Sequence, residues 1–377
     1  MTTTSYWLEE PAVELPRAAE GGRRPEVLVL GGGVTGCSCA LRLAERGVRV
    51  RLHEARRIAG GASGRNGGFA LRGAAVPYDV AVERLGPERA RRLMLLTERG
   101  VDRLAELAGD AFRRTGSLRL AADGAEREAL RREHDALAGD GFAVEWVDEL
   151  RPPLDGLYLG ALLHPNDGAI HPARWVRRLA RRAVEAGASI AEESKLSVDE
   201  AERRADAVVV ATDGFTSGVL PEQAELVRPT RGQVLATEPL QELRYARPHY
   251  AREGYDYWHQ LPDGRLLLGG RRDASPATEW TALEETTPLI QARLEELARE
   301  LVGSEPRITH RWAGIWGTTP DGLPLAGRLP ARGHTWIAAG YSGHGNILGL
   351  VCGALVADAI VGDLAGELEL FDPSRFL

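Results

Sequence analysis

The sequence predicts an α/β fold, α+β overall, in which a discontinuous parallel-sheet domain is interleaved with a domain built on antiparallel strands. Three observations support this prediction. Strand–turn–helix segments occur at the start, in the middle and at the end of the chain. A mainly helical insertion and an insertion rich in short strands separate these segments. The length of 377 residues is long for one domain, and 44% hydrophobic with 27% charged residues is typical of a soluble globular protein.

The first parallel unit starts with an apolar strand, Val27–Leu30. In the turn that follows, Gly31, Gly33 and Gly36 form the pattern G-x-G-x-x-G. Such a turn lets backbone N–H groups approach a pyrophosphate at the N-terminus of the next helix. The pattern alone is weak evidence, because glycine-rich turns also occur in α/β domains that bind no nucleotide.

The remainder of this unit favours the nucleotide interpretation. A helix is predicted over Ala40–Arg46 and a second strand over Val48–Leu52, and the acidic residue Glu54 follows. A carboxylate about 20 residues after the glycines can accept hydrogen bonds from the ribose hydroxyls of an adenosine. The complete unit therefore predicts a dinucleotide-binding domain.

A helical insertion comes next. Residues 60–68 are too rich in glycine for a helix or a strand, and residues 78–138 carry apolar positions at helical spacing. Short strands are predicted at Ser117–Ala121 and Val144–Val147. An arginine-rich helix, Ala173–Ala186, is interpreted as having a solvated charged face.

The second half of the chain contains both sheet types. The fully apolar Ala207–Ala211 suits a central parallel strand buried on both faces. Strands are then predicted at Gln233–Thr237, Tyr255–His259 and Arg265–Gly269, and the turn Pro262–Gly264 makes the last two a hairpin.

The final elements repeat the parallel pattern. An amphipathic helix is predicted over residues 283–302. The apolar strand Thr335–Ala339 leads into the glycine-rich turn Gly340–Gly345 and a helix that reaches Ile360. A binding site is expected at the seam between the two domains, where pockets commonly form.

Composition and charge exclude several functional classes. The net charge of −7 argues against a nucleic-acid partner, because phosphate binding needs a basic face. No apolar run approaches the roughly 18 residues of a membrane span, and residues 1–17 lack a basic start followed by an apolar core. A cytoplasmic location is therefore expected. No metal site is predicted, because Cys37, Cys39 and Cys352 lack a second ligand pair and are interpreted as buried residues.

Five segments together resemble the FAD-dependent amine and amino-acid oxidoreductases of the D-amino-acid oxidase and glycine oxidase superfamily. These segments are Gly31–Glu54, Gly60–Gly68, Ala207–Gly214, Arg311–Arg328 and Gly340–Gly345. The chain is most similar to the γ-glutamylputrescine oxidoreductase-like branch. The segments that carry this likeness are Ser5–Trp7, Ala62–Gly68, Ala236–Leu240 and Pro262–Arg271.

The resemblance implies a discontinuous Rossmann-like FAD-binding domain with an interleaved antiparallel-sheet substrate domain. The FAD-binding domain would consist of residues 1–77, 150–225 and 306–377, and the substrate domain of residues 78–149 and 226–305. An NAD-dependent dehydrogenase is a weaker interpretation, because the glycine-rich segments 60–68 and 340–345 have no role in it.

The resemblance also implies contacts with FAD. Gly31, Gly33 and Gly36 would hold the pyrophosphate, Glu54 the ribose, and the turn around His344 would face the flavin pyrimidine edge. The other residues implied at the cofactor are Ala62, Ser63, Arg65, Asn66, Gly67, Gly68, Ala211, Thr212, Gly214, Gly314, Gly340, Gly343, Gly345 and Asn346. For His344, a capping or packing role is the alternative.

Three positions depart from better-known relatives. Trp316 stands where glycine oxidase and D-amino-acid oxidase have an arginine that clamps the substrate carboxylate, which makes simple α-amino acids less favoured substrates. Gly314 aligns with the cysteine that attaches the flavin in monomeric sarcosine oxidase, which implies non-covalent FAD. Leu267 aligns with the oxygen-activating lysine of that relative, so either a histidine or arginine assists oxygen or the electrons leave to another acceptor.

The implied activity is FAD-dependent oxidation of a C–N bond in a primary or secondary amine or an N-substituted amino acid, with oxygen as the acceptor. A dehydrogenase with a quinone or protein acceptor and a non-catalytic flavin-binding protein are the alternatives. The catalytic candidates are His259, Tyr257, Trp316 and His344. The substrate-binding candidates are Arg72, Tyr255, Tyr257, Trp258, Arg271 and Trp316, with packing in the core as the alternative for the aromatic residues.

Overall fold

The computed structural model describes residues 4–12, 14–16, 23–363 and 366–377, so part of the stretch 1–17 lies outside the described residues. The helices are α1 (Val34–Glu45), α2 (Tyr78–Leu85), α3 (Pro87–Ala108), α4 (Gly124–Gly139), α5 (Pro172–Glu185), α6 (Val198–Arg204), α7 (Pro276–Glu279), α8 (Pro288–Val302) and α9 (Gly345–Ile360). The strands are β1 (Val27–Leu30), β2 (Val50–His53), β3 (Phe69–Ala70), β4 (Phe112–Arg113), β5 (Ser117–Leu120), β6 (Glu145–Val147), β7 (Ala161–His164), β8 (Gly168–Ile170), β9 (Ser189–Ala191), β10 (Ala207–Val210), β11 (Arg228–Pro239), β12 (His249–Ala251), β13 (Asp256–Gln260), β14 (Arg265–Gly270), β15 (Ile308–Thr318), β16 (Leu325–Arg328) and β17 (Thr335–Ala339).

One sheet contains the strand order β16–β17–β10–β1–β2–β9. All its neighbours are parallel except β16 and β17. The predicted central strand is confirmed, because β10 lies between β17 and β1 and its valines are buried. Helices α1, α5 and α9 cover one face with a single apolar cluster, which includes the buried cysteines Cys37, Cys39 and Cys352.

A second sheet has the order β15–β11–β14–β13–β12–β5–β7–β6. Its neighbours are antiparallel except β12 and β5, and the predicted hairpin of β13 and β14 is confirmed. Alternation along β11 sends Val234 towards the cluster of the parallel sheet and Leu235 towards α8. This sheet is therefore covered by α8 on one face and meets the parallel-sheet domain on the other. The short sheet β3–β8–β4 completes the mixed fold, which confirms the predicted fold class.

The prediction of a helix from residue 283 is wrong at its start. Helix α8 begins at Pro288, with Thr287 as its N-cap in extended conformation. Proline favours the first helical position and disfavours a helical conformation in the residue before it. Residues 280–287 therefore form a connecting loop, which is called the bridging loop below.

The domain boundaries remain a prediction, and two strands bear on them. Strands β7 and β15 both belong to the antiparallel sheet, although their residues lie in ranges assigned to the FAD-binding domain. The chain thus passes between the two sheets more often than the boundaries imply. In the described part of the chain, no helix is long and apolar enough to cross a membrane.

Candidate active site

A cavity of about 560 Å³ lies between the two large sheets. One wall, called the nucleotide wall, is built from loops at the carboxyl ends of β1, β2, β10 and β17 together with the segment 61–67. The facing wall, called the ring wall, consists of residues from β11, β12, β13 and β15 and of Arg272. Ligands of open α/β sheets bind beyond the carboxyl ends of the parallel strands, as this position would allow.

Two helices begin at the nucleotide wall. Gly33 is the N-cap of α1 and His344 is the N-cap of α9, and neither provides a side-chain hydrogen bond to its helix. Ser63 Oγ accepts a hydrogen bond from the N–H of Val34 at 3.0 Å. Helix N-termini carry N–H groups without partners and a partial positive charge, so both ends suit an anionic ligand group.

Glu54 closes one end of the nucleotide wall. Its two oxygens accept hydrogen bonds from the N–H groups of Gly32 at 2.6 Å and Arg56 at 2.8 Å. These bonds fix the carboxylate and leave acceptor capacity for hydroxyl groups. Lys195, the sole lysine of the chain, follows β9 and also lines the nucleotide wall.

The bridging loop joins the two walls. Glu284 pairs with Arg56 at 2.7 Å, and Nε of Arg65 lies 3.6 Å from the same carboxylate. Arg56 and Arg65 line the cavity, as does Ala282 of the loop. The buried pair of Arg231 and Glu279, at 2.6 Å, holds the chain just before the loop onto β11.

The ring nitrogens of His344 are buried and, within the described residues, have no hydrogen-bond partner. Burial lowers the pKa of His344 to about 4, and the charge of Arg119 adds to this effect. The imidazole is therefore neutral at pH 7, with one donor and one acceptor free for a ligand. Beside it, Asn346 donates a hydrogen bond to the carbonyl of Phe69 at 2.7 Å, which ties α9 to β3.

Asp213, which the sequence interpretation missed, follows β10 at the cavity. Its Oδ1 accepts a hydrogen bond from the N–H of Gly340 at 2.9 Å and so holds the turn that leads to α9. Burial raises the pKa of Asp213 to about 6, against the lowering effect of its backbone hydrogen bonds. A polar residue at the carboxyl end of the predicted central strand was the available signal.

Two tyrosines form the centre of the ring wall. Tyr257 on β13 and Tyr250 on β12 pair directly across the strands, and both line the cavity. Within the described residues, neither hydroxyl has a hydrogen-bond partner in the protein. Burial raises the pKa of Tyr257 to about 12, so its hydroxyl remains a donor at neutral pH. Tyr250 was missed, because its register opposite Tyr257 was not predicted.

Trp316 and Arg272 form the other part of the ring wall. The indole lies over Gly232, where any Cβ would overlap the ring. The guanidinium of Arg272 lies 5.5 Å from the centroid of Trp316 and 4.3 Å from that of Tyr255. Its Nη1 donates a hydrogen bond to the carbonyl of Gly254 at 3.2 Å. Arg272 was missed, although its neighbour Arg271 was selected.

Most residues predicted at the cofactor lie in the cavity wall. They are Gly31, Gly33, Glu54, Ala62, Ser63, Arg65, Asn66, Gly67, Ala211, Thr212, Gly314, Gly343, His344, Gly345 and Asn346. Gly36, Gly68, Gly214 and Gly340 lie outside the cavity lining. Their places are set by packing; a Cβ at Gly36, for example, would overlap the carbonyl oxygen of Gly31.

Two aromatic candidates on β13, Trp258 and His259, lie outside the cavity lining. Trp258 points away from the cavity and stacks on His249 and Tyr158, because neighbouring residues of a strand face opposite sides. His259 shares the face of Tyr257, but Trp7 and Phe69 cover it and it is 1% exposed. Burial lowers the pKa of His259 to about 3. The structure therefore places both side chains in the packed interior beside the cavity and not in its wall.

Three further substrate candidates also lie outside the cavity lining. Arg72 is buried and pairs with Glu98. Arg271 forms an ion pair with Asp256 at 2.7 Å, which draws it away from the cavity. The ring of Tyr255 packs against the guanidinium of Arg272. The candidates that do line the cavity are Tyr257, Trp316 and His344.

Comparisons with known proteins identify the family of the chain. The family model of FAD-dependent oxidoreductases (DAO) matches residues 26–359. The chain is 31% identical to the gamma-glutamylputrescine oxidoreductase of Escherichia coli K12, over 92% of this chain and 85% of that protein. It is 28% identical to the glycine oxidase of Bacillus licheniformis, over 90% and 94% of the two chains.

Solved structures support the fold. The crystal structure of glycine oxidase from Geobacillus kaustophilus superposes with a TM-score of 0.75 at 24% identity, over 94% of this chain and 98% of that one. L-Proline dehydrogenase from P. horikoshii gives 0.76 at 23% identity, over 96% and 98%. Given the family match over most of its length, the chain belongs to the DAO family of FAD-dependent oxidoreductases.

Proposed function

We propose that the protein oxidises a C–N bond in a primary or secondary amine or an N-substituted amino acid, with non-covalently bound FAD and oxygen as the acceptor. The observation that carries this proposal is the pairing of two unlike walls in one cavity. One wall contains two helix N-termini whose own N-cap residues make no side-chain hydrogen bond to the helix, and aromatic rings with free hydroxyls form the other. Homologues that act on amines and amino acids support it.

The nucleotide wall fits FAD. Backbone N–H groups at the start of α1 would hold the pyrophosphate, and Glu54 the ribose. The start of α9 would stabilise negative charge at the pyrimidine edge of the flavin. Gly314 lies close to Arg65 and has no side chain that could form a covalent bond, which supports non-covalent binding. When bound, FAD would supply the two-electron oxidant for the C–N bond, taking up a hydride from the α-carbon of the amine, and water would hydrolyse the imine product to a carbonyl compound and an amine.

The ring wall favours a neutral amine. Among its described residues there is no carboxylate to pair with an ammonium group, and the positive charge of Arg272 opposes one. His344 is a weak base, since burial lowers its pKa to about 4. The amine therefore loses its proton to water before or during binding, and the hydroxyls of Tyr250 and Tyr257 can orient its nitrogen.

Anaerobic mixing tests the proposal. The purified holoprotein is mixed with a panel of polyamines, N-alkylglycines and D-amino acids, and the flavin absorbance is followed. We expect at least one class to bleach the flavin. If dithionite bleaches it and no member of the panel does, the proposal is wrong and the non-catalytic alternative is supported.

A dehydrogenase with a quinone or protein acceptor is the second candidate. Leu267 stands where the resemblance aligns an oxygen-activating lysine, and it is fully buried beside the neutral His259. No fixed cation therefore occupies that position. Stopped-flow reoxidation in air decides between the two: fast reoxidation with peroxide formation excludes the dehydrogenase as the main route, and slow reoxidation favours it.

A further inference from the structure

The cations of the cavity differ in how they are neutralised. Arg56 and Arg65 lie at the carboxylate of Glu284. Lys195 follows β9 and lies on the nucleotide wall, where it also has no ion pair among the described residues. Arg272 is the cation of the ring wall, and among the described residues it has no ion pair. Its contacts are the carbonyl of Gly254 and two aromatic rings.

The carboxylates near Arg272 in the chain already form ion pairs with other arginines. Asp256 pairs with Arg271 at 2.7 Å and with Arg252 at 3.3 Å. Asp273, the residue after Arg272, also pairs with Arg252. The local surroundings thus neutralise two arginines and leave the third with its charge uncompensated.

A left-handed turn separates the two consecutive arginines. Strand β14 ends at Gly270 with φ +122°, and Arg271 follows with φ +56°. After this turn, Arg271 pairs with Asp256 outside the cavity, whereas Arg272 lies in the cavity wall. The two guanidinium groups are therefore not interchangeable, although they are neighbours in the chain.

We propose that Arg272 binds an anionic group of the substrate, so that the preferred substrates are amines that also carry a carboxylate. The inference rests on the proposed function and narrows its substrate class. A guanidinium offers several N–H donors in a rigid fork that matches a carboxylate, and the carbonyl of Gly254 uses only Nη1. The anchor comes from the segment after β14, and not from β15, where Trp316 replaces the arginine of the resembling oxidases.

Trp316 then positions the guanidinium. Its ring is in contact with Arg272, as is that of Tyr255, and such contacts stabilise a cation within about 6 Å of a ring centroid. A substrate cation on Trp316 would have to lie beside this charge. Polyamines and other amines without a carboxylate should therefore bind more weakly than amines with a carboxylate, because they cannot pair with Arg272 and any further ammonium group would be repelled by it.

Ligand binding to the holoprotein tests this proposal without turnover. Phenylacetate and its neutral isostere phenylacetamide are titrated, and the change in flavin absorption is recorded. The variants are Arg272→Gln, Arg272→Lys and, as the control, Arg271→Gln, in which Arg252 still pairs with Asp256. FAD content and circular dichroism confirm that each variant is folded.

We expect Arg272→Gln to raise the Kd of phenylacetate at least about tenfold, because a charge-assisted contact is lost. The Kd of phenylacetamide should stay within about twofold, Arg272→Lys should be intermediate, and Arg271→Gln should match the parent. The inference is overturned if the parent does not prefer phenylacetate, or if Arg272→Gln weakens both ligands equally or neither. If Arg272→Gln loses FAD, the comparison of Arg272→Lys with the parent decides.

These outcomes separate the inference from the proposed function. If no amine bleaches the flavin while phenylacetate depends on Arg272, the proposed oxidation is wrong and the anion site stands. If amines bleach the flavin and phenylacetate binding is independent of Arg272, the oxidation stands and the anion site is wrong.

Discussion

The two walls of the cavity present different kinds of chemical group to a ligand. The nucleotide wall presents backbone N–H groups, which become available because glycines allow tight turns at the starts of α1 and α9. The ring wall presents side chains, whose direction depends on strand register and on one left-handed turn. Small residues at fixed spacing therefore define the first wall, and the identity of large residues defines the second.

A bulky residue at Gly36 should distort the turn of the nucleotide wall and so weaken FAD binding. A Cβ there would overlap the carbonyl of Gly31 and force the turn to open. We expect Gly36→Val to weaken FAD binding by at least about 100-fold, because overpacking against backbone costs several kcal/mol. The FAD content of the purified protein measures this. Gly139→Ala is the control, since that position has open space around it, and retention of FAD by Gly36→Val would contradict the expectation.

The carboxyl group of Asp213 makes the nucleotide wall sensitive to pH. Its folded pKa, raised to about 6 by burial, exceeds the usual 3.8, so the folded protein holds a proton that the unfolded chain releases. Stability from this group is complete below about pH 4 and is lost as the pH rises to about 6, by roughly 1–3 kcal/mol.

Asp213→Asn should remove this loss. We expect the variant to gain stability relative to the parent between pH 4 and 6, with a constant difference above that range, measured as unfolding free energy in urea at each pH. Asp155→Asn, at an exposed position, serves as the control. A parent–variant difference that does not change with pH would show that Asp213 is not responsible.

Glu54→Gln should weaken the nucleotide wall without affecting the ring wall. The amide keeps one acceptor oxygen and so loses one of the two bonds to backbone N–H groups. We expect the Kd of FAD to rise about tenfold, because a hydrogen bond to a charged group is lost. At saturating FAD, the rate of flavin reduction by an amine should match the parent. A lower rate with an unchanged Kd would reverse the assignment of the two walls.

Tyr257→Phe should slow flavin reduction without changing FAD binding, the reverse of the pattern expected for Glu54→Gln. Its effect should be the smallest of those predicted. The variant keeps the ring and removes the free hydroxyl, so FAD affinity should be unchanged and flavin reduction about fivefold slower. Since burial raises the pKa of Tyr257 to about 12, the pH profile of reduction between pH 7 and 9 should have the same shape in both proteins. A changed profile would show that the tyrosine itself titrates in that range.

The sequence allowed the nucleotide wall to be predicted much better than the ring wall. The turn at Gly31, the acid Glu54 and the late turn at His344 follow from spacing, because backbone recognition depends on local conformation. Tyr250 and Arg272 were missed, since their directions depend on strand pairing and on the turn at Arg271. Trp258 lies on the face of β13 opposite to Tyr257 for a related reason: alternation along a strand is predictable, but which residues face the cavity depends on the strand's place in the sheet.

The bridging loop connects the two walls through one carboxylate. Glu284 forms an ion pair with Arg56, and Nε of Arg65 lies 3.6 Å from the same carboxylate, beside the expected path of the cofactor. If a ligand at one wall shifts this carboxylate and thereby changes the affinity at the other wall, linkage requires the second ligand to change the affinity of the first by the same factor. The Kd of FAD measured with and without a bound amine would report the size of such a coupling.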